Sequence, residues 1–351
     1  MPRNLSQDRA RLAAVAMDYG VLFPATVQGF STPEMARDMA IAVDAYPTLL
    51  TAPNSGVPAW LTTTVDPEVI NYAIAPMRAT EILGGEVKKG DWVHDTMAFA
   101  VAEMAGETSS YGDWNNNGSV SANFSFVYRQ AYHYQTITQW GEREVERVAA
   151  AGNGLDYKNM LDRSSVAVLN KFQNRSYFFG VAGMANYGLL NDPSLPAATT
   201  PITKAAGGTG WALATPTEIL SDFQKLFAQL ITQTQGLINT SSQVTVGLPP
   251  VSEGYLLNTN NFGVRAIDVL TKNYPGLKIV SAPEYATTGG NLMQMIASEI
   301  DGQDTGYTAF TEKLRAHAVV TDLSAWKQKK SQGTWGAIIK QPLAYAQMLG
   351  I

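Results

Sequence analysis

Three histidines, His94, His133 and His317, are the side chains best suited to acid–base or metal chemistry, and the sequence scatters them over unrelated strand-like segments without metal-ligand spacing. They read as structural or surface histidines. Asp113-x-Asn115-x-Asn117-Gly118 matches the opening of a calcium loop, where side-chain oxygens at alternate positions and a turn glycine encircle the ion. Its twelfth position is Phe124 instead of a bidentate carboxylate, so a polar turn explains the asparagines better than a metal. Gly152-Asn153-Gly154 begins a dinucleotide fingerprint, but Tyr157 fills the third small position and the segment joins two helical patterns. There is no Gly-x-Ser-x-Gly elbow, His-Glu-x-x-His pair or Walker A loop, and no cysteine to serve as nucleophile, disulfide or cluster ligand. The sequence yields no catalytic, cofactor-binding or metal-binding residue of the kind an enzyme of this size usually displays.

Composition points the same way. Of 351 residues, 45% are hydrophobic and only 16% charged, below the ~25% typical of soluble domains. Much of the surface must therefore carry uncharged polar groups or be covered by other protein. With 25 Lys and Arg against 30 Asp and Glu, the net charge of −5 disfavours a basic groove built to grip nucleic acid. No apolar run approaches the ~18 residues of a membrane helix, and Arg9 to Met17, closing on Asp18, reads as a helix and not a signal peptide. Glu142, Arg143, Glu144, Glu146 and Arg147 form a mixed-charge cluster, and Lys327, Lys329 and Lys330 a basic knot. Both are either solvated faces or partners of charges on another subunit.

The elements that would position these residues follow from periodicity. A helix is expected over Ser6 to Asp18 and another over Pro33 to Val43, within a proline-interrupted stretch of about 60 residues that has no core of its own. Trp92 to about Met104 is strand-like, and Val120, Ala122, Phe124, Phe126, Tyr128, Tyr132 and Tyr134 alternate with mostly polar residues. Asn117-Gly118 is a strong turn signal, so residues 88–138 read as one long projecting hairpin. A short helix over Gly141 to Ala151 is followed by one that Asp156 caps and that runs to about Gly180, roughly 35 Å at 1.5 Å per residue. Tyr157, Leu161, Ser165, Val168, Phe172 and Phe179 mark its expected inner face.

Thr215-Pro216-Thr217-Glu218 is a capping box ahead of an apolar face at Ile219, Leu220, Phe223, Leu226, Phe227, Leu230 and Ile231. Beyond it we expect strands at Val244 to Leu248, Leu277 to Ser281, Leu292 to Ile300 and Leu314 to Val320, with a helix at Phe262 to Lys272. Residues 211–318 thus read as one α/β unit, and Trp335 to Leu349 as a final strand that pairs with earlier chain.

This order of elements resembles the major capsid proteins of tailed bacteriophages with the Hong Kong 97-type fold. The residues that carry the resemblance are the helix Asp156 to Phe179, Gly180-x-x-Gly183-x-x-x-x-Gly188-Leu-Leu-Asn191, Tyr274-Pro275-Gly276-Leu277 through Ser281 with Pro283-Glu284-Tyr285, and Gly333-Thr-Trp-Gly336 with Gln341-Pro342-Leu343. The resemblance implies an α+β capsid fold: an N-terminal arm (1–60), a peripheral domain (61–87, 139–210 and 319–351) containing a long spine helix, an extended β-hairpin loop (88–138) and an α/β axial domain (211–318). It implies a non-enzymatic subunit, free of cofactors, that self-assembles through pentamers and hexamers into an icosahedral shell enclosing phage double-stranded DNA. Scaffolding, portal and decoration proteins are implied partners, DNA contact is nonspecific, no membrane is involved, and the virion capsid assembles in the host cytoplasm. Lys88 and Lys89 lie at the base of the extended loop, so the lysine cross-link of some members is not carried over. Two other readings are an encapsulin-like compartment shell and a soluble α/β enzyme or carbohydrate-binding protein using its 7 tryptophans and 15 tyrosines as stacking platforms.

Overall fold

The computed structural model describes residues 76–150, 156–260 and 262–351. The expected arm with its two helices, and the Gly152-Asn153-Gly154 break, lie outside the described residues. In chain order the elements are α1 (Ala79–Ile82), β1 (Glu86–Lys88), β2 (Thr96–Gly106), β3 (Val120–Gln130), β4 (Tyr132–Gly141), α2 (Glu142–Ala150), α3 (Tyr157–Phe179), α4 (Pro216–Gln233), β5 (Val244–Leu248), α5 (Pro250–Tyr255), α6 (Ala266–Asn273), β6 (Leu277–Ser281), β7 (Ala286–Thr287), β8 (Gly290–Ala297), β9 (Glu299–Ile300), β10 (Gln303–Asp304), β11 (Gly306–Asp322), β12 (Ala325–Ile339) and β13 (Tyr345–Leu349). The described chain falls into two compact units, one holding 76, 138–150, 156–168 and 319–328, the other 77–137, 169–260, 262–318 and 329–351.

In the larger unit, a sheet of order β13-β8-β5-β6, with β7 added to β8, carries the main core. β5 runs parallel to β6 and antiparallel to β8, and β13 is antiparallel to β8 with Tyr345 opposite Ile296. Helix α4 begins where the sequence places it, because the Thr215 side chain accepts from the Glu218 N–H while the Glu218 carboxylate accepts from the Thr215 N–H at 2.7 Å. Its Ile219, Phe223, Leu226 and Leu230 are buried, each contributing roughly 1.5–3 kcal/mol relative to exposure. Asp222, on the same helix, accepts from Lys204, from the Trp211 indole N–H at 2.8 Å and from the Ile202 N–H at 2.8 Å, which pins the preceding loop. Tyr285 is buried with its hydroxyl on Gln294 at 2.8 Å, in space that Gly247 leaves open: a Cβ there would meet the ring at 2.3 Å.

Three expectations for this region are corrected. The helix expected from Phe262 starts at Ala266, because Asn260 Oδ1 takes the N–H groups of Phe262 and Val264 at 2.9 and 3.0 Å and holds them in a turn. The strand expected at Leu314 to Val320 is part of the longer β11, which pairs outside the α/β sheet. The tail is divided, with Trp335 in β12 and Tyr345–Leu349 returning to the α/β sheet as β13, so a boundary at 318 with 319–351 as one piece does not follow the strands. Sheet partners are set by contacts far apart in sequence, which local pattern does not encode.

The second sheet has the order β1-β11-β12-β4, with β1 parallel to β11. Within the larger unit one of its faces packs on α3: Tyr134 meets Phe172 at 4.5 Å between ring centroids and donates to Gln332 at 2.8 Å, and Ser176 bonds Thr334 at 2.9 Å. Asp156 accepts from the Asn159 N–H at 3.0 Å at the start of α3. The inner face of α3 departs in part from the expected stripe: Ser165 is buried as expected, but Val168 and Phe179 are exposed, and Leu169, Gln173, Asn174, Ser176, Tyr177 and Phe178 are the further buried residues. Half of these side chains are polar and are engaged in hydrogen bonds, so counting apolar residues misplaces the face. Past Phe179, Gly180 at φ 60° reverses the chain, and Leu189 and Leu190 donate back to Tyr177 and Phe178 at 2.8 and 2.9 Å. Gly188 permits that approach, since a Cβ there would lie 2.3 Å from the Phe178 carbonyl oxygen.

In the smaller unit the Glu142 N–H donates to the Ser324 carbonyl at 3.0 Å and Lys158 lies over Trp140 at 5.0 Å. No residue of α2 is buried, and Lys327 pairs with Asp322. The basic knot is thereby split, because Lys330 is buried in the larger unit while Lys329 stays exposed.

Candidate assembly surfaces

Among the described residues β2 and β3 pair only with each other, from Thr96 opposite Gln130 to Gly106 opposite Val120. Strand alternation gives this ribbon two unlike faces. On one, Ala98, Ala100, Ala102 and Met104 stand opposite Tyr128, Phe126, Phe124 and Ala122, and apart from the Tyr128 hydroxyl every side chain is apolar. That face is bare: Phe124 is 70%, Phe126 57%, Tyr128 57% and Met104 93% exposed. On the other face Met97 and Phe99 pack at the root on the small cluster of Tyr307, Ala309 and Trp335, and toward the tip it becomes polar with Glu103, Ser121, Asn123 and Ser125. A lone two-stranded ribbon is marginal in water, and a contiguous exposed apolar face of this extent marks a protein contact.

The boundaries differ from the sequence reading. Trp92 lies in a loop ahead of β2, while Tyr132 and Tyr134 belong to β4, so the alternation of β3 continues through Ala131 into another sheet. Nor is Asn117-Gly118 a two-residue turn. The connection spans 107–119, closed by the Glu107 N–H on the Ser119 carbonyl at 2.9 Å. Its calcium-like oxygens serve the loop itself: Asp113 Oδ1 accepts from the Tyr111 hydroxyl at 2.9 Å and Asn115 Oδ1 from the Asn117 N–H at 3.0 Å. This ordered tip holds Tyr111 and Trp114 at 93% and 99% exposure.

The root is fixed by polar contacts. Arg129 pairs with the buried Asp192 at 3.0 Å and lies 4.8 Å over the Tyr187 ring, and the Gln130 N–H donates to Ala185 at 2.9 Å. His94 Nδ1 accepts from the Asp91 N–H at 3.0 Å. His133 and His317, unrelated in sequence, both meet Trp92, with ring centroids at 4.5 and 6.4 Å. Only the sheet order brings them together, and nothing in their sequence neighbourhood announces it. Among the described residues no group of three or more His, Asp or Glu is placed to hold a metal.

A second set of exposed apolar side chains, Val251, Leu257, Phe262 and Val264, surrounds the connection from α5 to α6. An open groove of about 610 Å³ is lined by Glu81, Lys278, Ser298, Glu299, Asp304 and Tyr307, with Lys278 paired to Glu81 at 3.3 Å. The shifted titrations are structural in cause. Backbone N–H groups of Ala205 and Thr215 hold the Glu218 carboxyl down at about 2, and burial raises Glu284 above the usual carboxylate range.

The sequence matches the family described as Pa193 gp26 major capsid protein over residues 48–350. A search of curated proteins finds no matching sequence. Among solved structures, the capsid of Myoviridae phage XM1 aligns with a TM-score of 0.71 at 13% identity, covering 85% of this chain and 100% of that one. Gordonia phage Cozz aligns at 0.55 with 12% identity, covering 87% and 98%. The capsid of the native GTA particle aligns at 0.51 with 11% identity, covering 88% and 98%. These similarities establish the expected α+β fold of Hong Kong 97 type. The family match spans most of the chain, which therefore belongs to the Pa193 gp26 major capsid protein family and is a subunit of an icosahedral viral shell.

Proposed function

We propose that the chain builds its shell through pentamers and hexamers, each copy laying the β2–β3 ribbon over the next, and that the closed shell encloses double-stranded DNA. The observation that carries this reading is the ribbon face from Ala98 to Met104 and Ala122 to Tyr128, apolar but for the Tyr128 hydroxyl and left uncovered by the described residues of the subunit. Burying its three aromatic side chains against a neighbour contributes roughly 1.5–3 kcal/mol each. Repeated at every subunit, this burial favours closure against the entropic cost of association. In this reading the arm is 1–60, the extended loop lies within 88–138, and the α/β sheet with α4 is the axial domain, its exposed Leu257 and Phe262 facing other copies around a capsomer centre. DNA contact is nonspecific at a net charge of −5. A separate scaffolding protein guides closure in the host cytoplasm, and portal and decoration proteins complete the particle. Membership of a major capsid protein family supports a non-enzymatic role.

The test is size-exclusion chromatography and negative-stain electron microscopy of the full chain, alone and with its scaffolding protein. Closed polyhedral shells, or rings of five and six, are expected. Phe124→Ser/Phe126→Ser/Tyr128→Ser and deletion of Gly112 to Gly118 should leave a folded subunit that closes poorly. Equally stable shells from the triple variant would overturn the role of the ribbon, and particles filled with protein instead of DNA would overturn the role of the shell.

A further inference from the structure

We propose that Trp92 is the positioning residue of the β2–β3 ribbon, gripping its root so that the apolar face points where a second copy can receive it. This rests on the reading that the ribbon covers a neighbouring subunit. The loop before β2 is tied at both ends by backbone bonds, Lys89 N–H to Phe310 and Ala131 N–H to Asp95, each at 2.9 Å. Between those ties the half-buried Trp92 indole lies on the second sheet. Tyr132 and Tyr134 face α3, so His133 projects from the opposite face, where it meets the indole edge-on at 4.5 Å. His317 of β11 meets it at 6.4 Å, and the Arg315 guanidinium lies 5.5 Å from the ring.

The sheet is shaped for this grip. Gly333, on β12 between β4 and β11, lets His133 reach across the strand to within 3.3 Å of the Thr311 hydroxyl. A Cβ at Gly333 would sit 2.7 Å from the imidazole Cδ2. His317 is oriented by Ser331 at 2.9 Å. Both walls of the indole are thus held by hydroxyls, and the clamp spans three strands.

Geometry explains why the ribbon needs it. Its strands are 11 residues each, so at about 3.4 Å per residue the arm is roughly 35 Å long. A rotation of about 10° at the root would swing the tip by roughly 6 Å, more than the tolerance of a packed interface. The β3 side of the root has Arg129 on Asp192, and the β2 side has Met97, Phe99 and the Trp92 clamp.

The experiment compares full-length wild type, Trp92→Ala and Trp92→Phe by hydrogen exchange and by shell yield. Trp92→Ala should speed exchange at least tenfold at 96–99 and 127–132, leave α4 unchanged, and lower shell yield at least tenfold. Trp92→Phe, which keeps a ring edge against His133, should restore the yield to within threefold of wild type. If Trp92→Ala fails to fold, His133→Ala/His317→Ala removes the walls and should lower the yield to the same degree. Normal yield from Trp92→Ala, no rescue by a folded Trp92→Phe, or normal yield from the double histidine variant would each overturn the proposal. Loss of shells from the triple aromatic variant with normal shells from Trp92→Ala overturns the positioning role alone. Normal shells from the triple variant remove the reading on which it rests.

Discussion

Two antiparallel strand pairs in this chain, β5 with β8 and β2 with β3, are built from similar apolar residues and meet opposite fates. In β8 the six residues Leu292 to Ala297 are all buried, because helices and loops cover the sheet and β13 and β5 flank the strand. In β3 the aromatic residues alternate with Asn123, Ser125, Val127 and Arg129 and lie bare. A strand buried on both faces reads as a continuous apolar run, whereas one apolar face beside a polar face anticipates a single cover. For β3 that cover is not supplied by any described residue of the same chain. The contrast separates what stabilises the subunit from what stabilises the shell, although both are hydrophobic burial.

The sharpest way to break this contrast is to make one substitution in both regions. Phe223→Ala, which empties a site at the heart of α4, should cost the isolated subunit about 3–5 kcal/mol in denaturant unfolding. Phe126→Ala should leave the isolated subunit within about 0.5 kcal/mol of wild type and yet raise the concentration needed for shell closure. Comparable losses in the unassembled subunit would mean that the ribbon face belongs to the fold after all.

Much of this architecture was legible in the sequence, and the gaps have a common cause. Local signals performed well: the capping box at Thr215 and Glu218 starts α4, Asp156 caps α3, and the period-two pattern marks β3. The glycine and tyrosine motifs that carried the family resemblance prove to be packing constraints. Gly188 lies against the Phe178 backbone, Gly247 makes room for Tyr285, and Gly336, at φ 75°, would place a Cβ 2.2 Å from the Tyr187 carbonyl oxygen. What pattern did not reveal was partnership: which sheet receives β11 and β13, that the inner face of α3 is half polar, and that His133 and His317 share Trp92. The apolar alternation of β3 was visible, but only pairing with β2 shows that its face is complete and uncovered.

A smaller effect is expected at α2, where charge and not apolar area faces outward. Arg143 and Arg147 are one helical turn apart on a helix with no buried residue. Arg143→Glu/Arg147→Glu should leave thermal unfolding of the subunit unchanged and shift the assembly midpoint by about 1 kcal/mol per subunit, with the shift shrinking as salt rises. Assembly that is unchanged at low salt would assign the cluster to solvent.

The smallest effect is expected inside the α/β region, at a buried group that offsets part of the stability its apolar neighbours supply. Glu284 accepts from Asn174 at 2.7 Å through one oxygen, while its other oxygen, Oε2, is buried without a hydrogen bond. Burial raises its carboxyl above the ordinary value, and its backbone bond, Asn174 and Lys171 only partly offset this. A folded-state value above the unfolded one means that the contribution of Glu284 is fully present below the unfolded value and is lost as pH rises through the folded one. Glu284→Gln keeps the bond from Asn174 and removes the charge. It should therefore raise the thermal midpoint at pH 7.5 by roughly 1–3 °C, the scale of a sub-kcal/mol change in a chain of this size. The difference should close as pH falls to about 3, where the wild-type carboxyl is protonated in both states. A variant less stable than wild type at pH 7.5 would mean that the ionised carboxylate is a net stabiliser of the α3 contact.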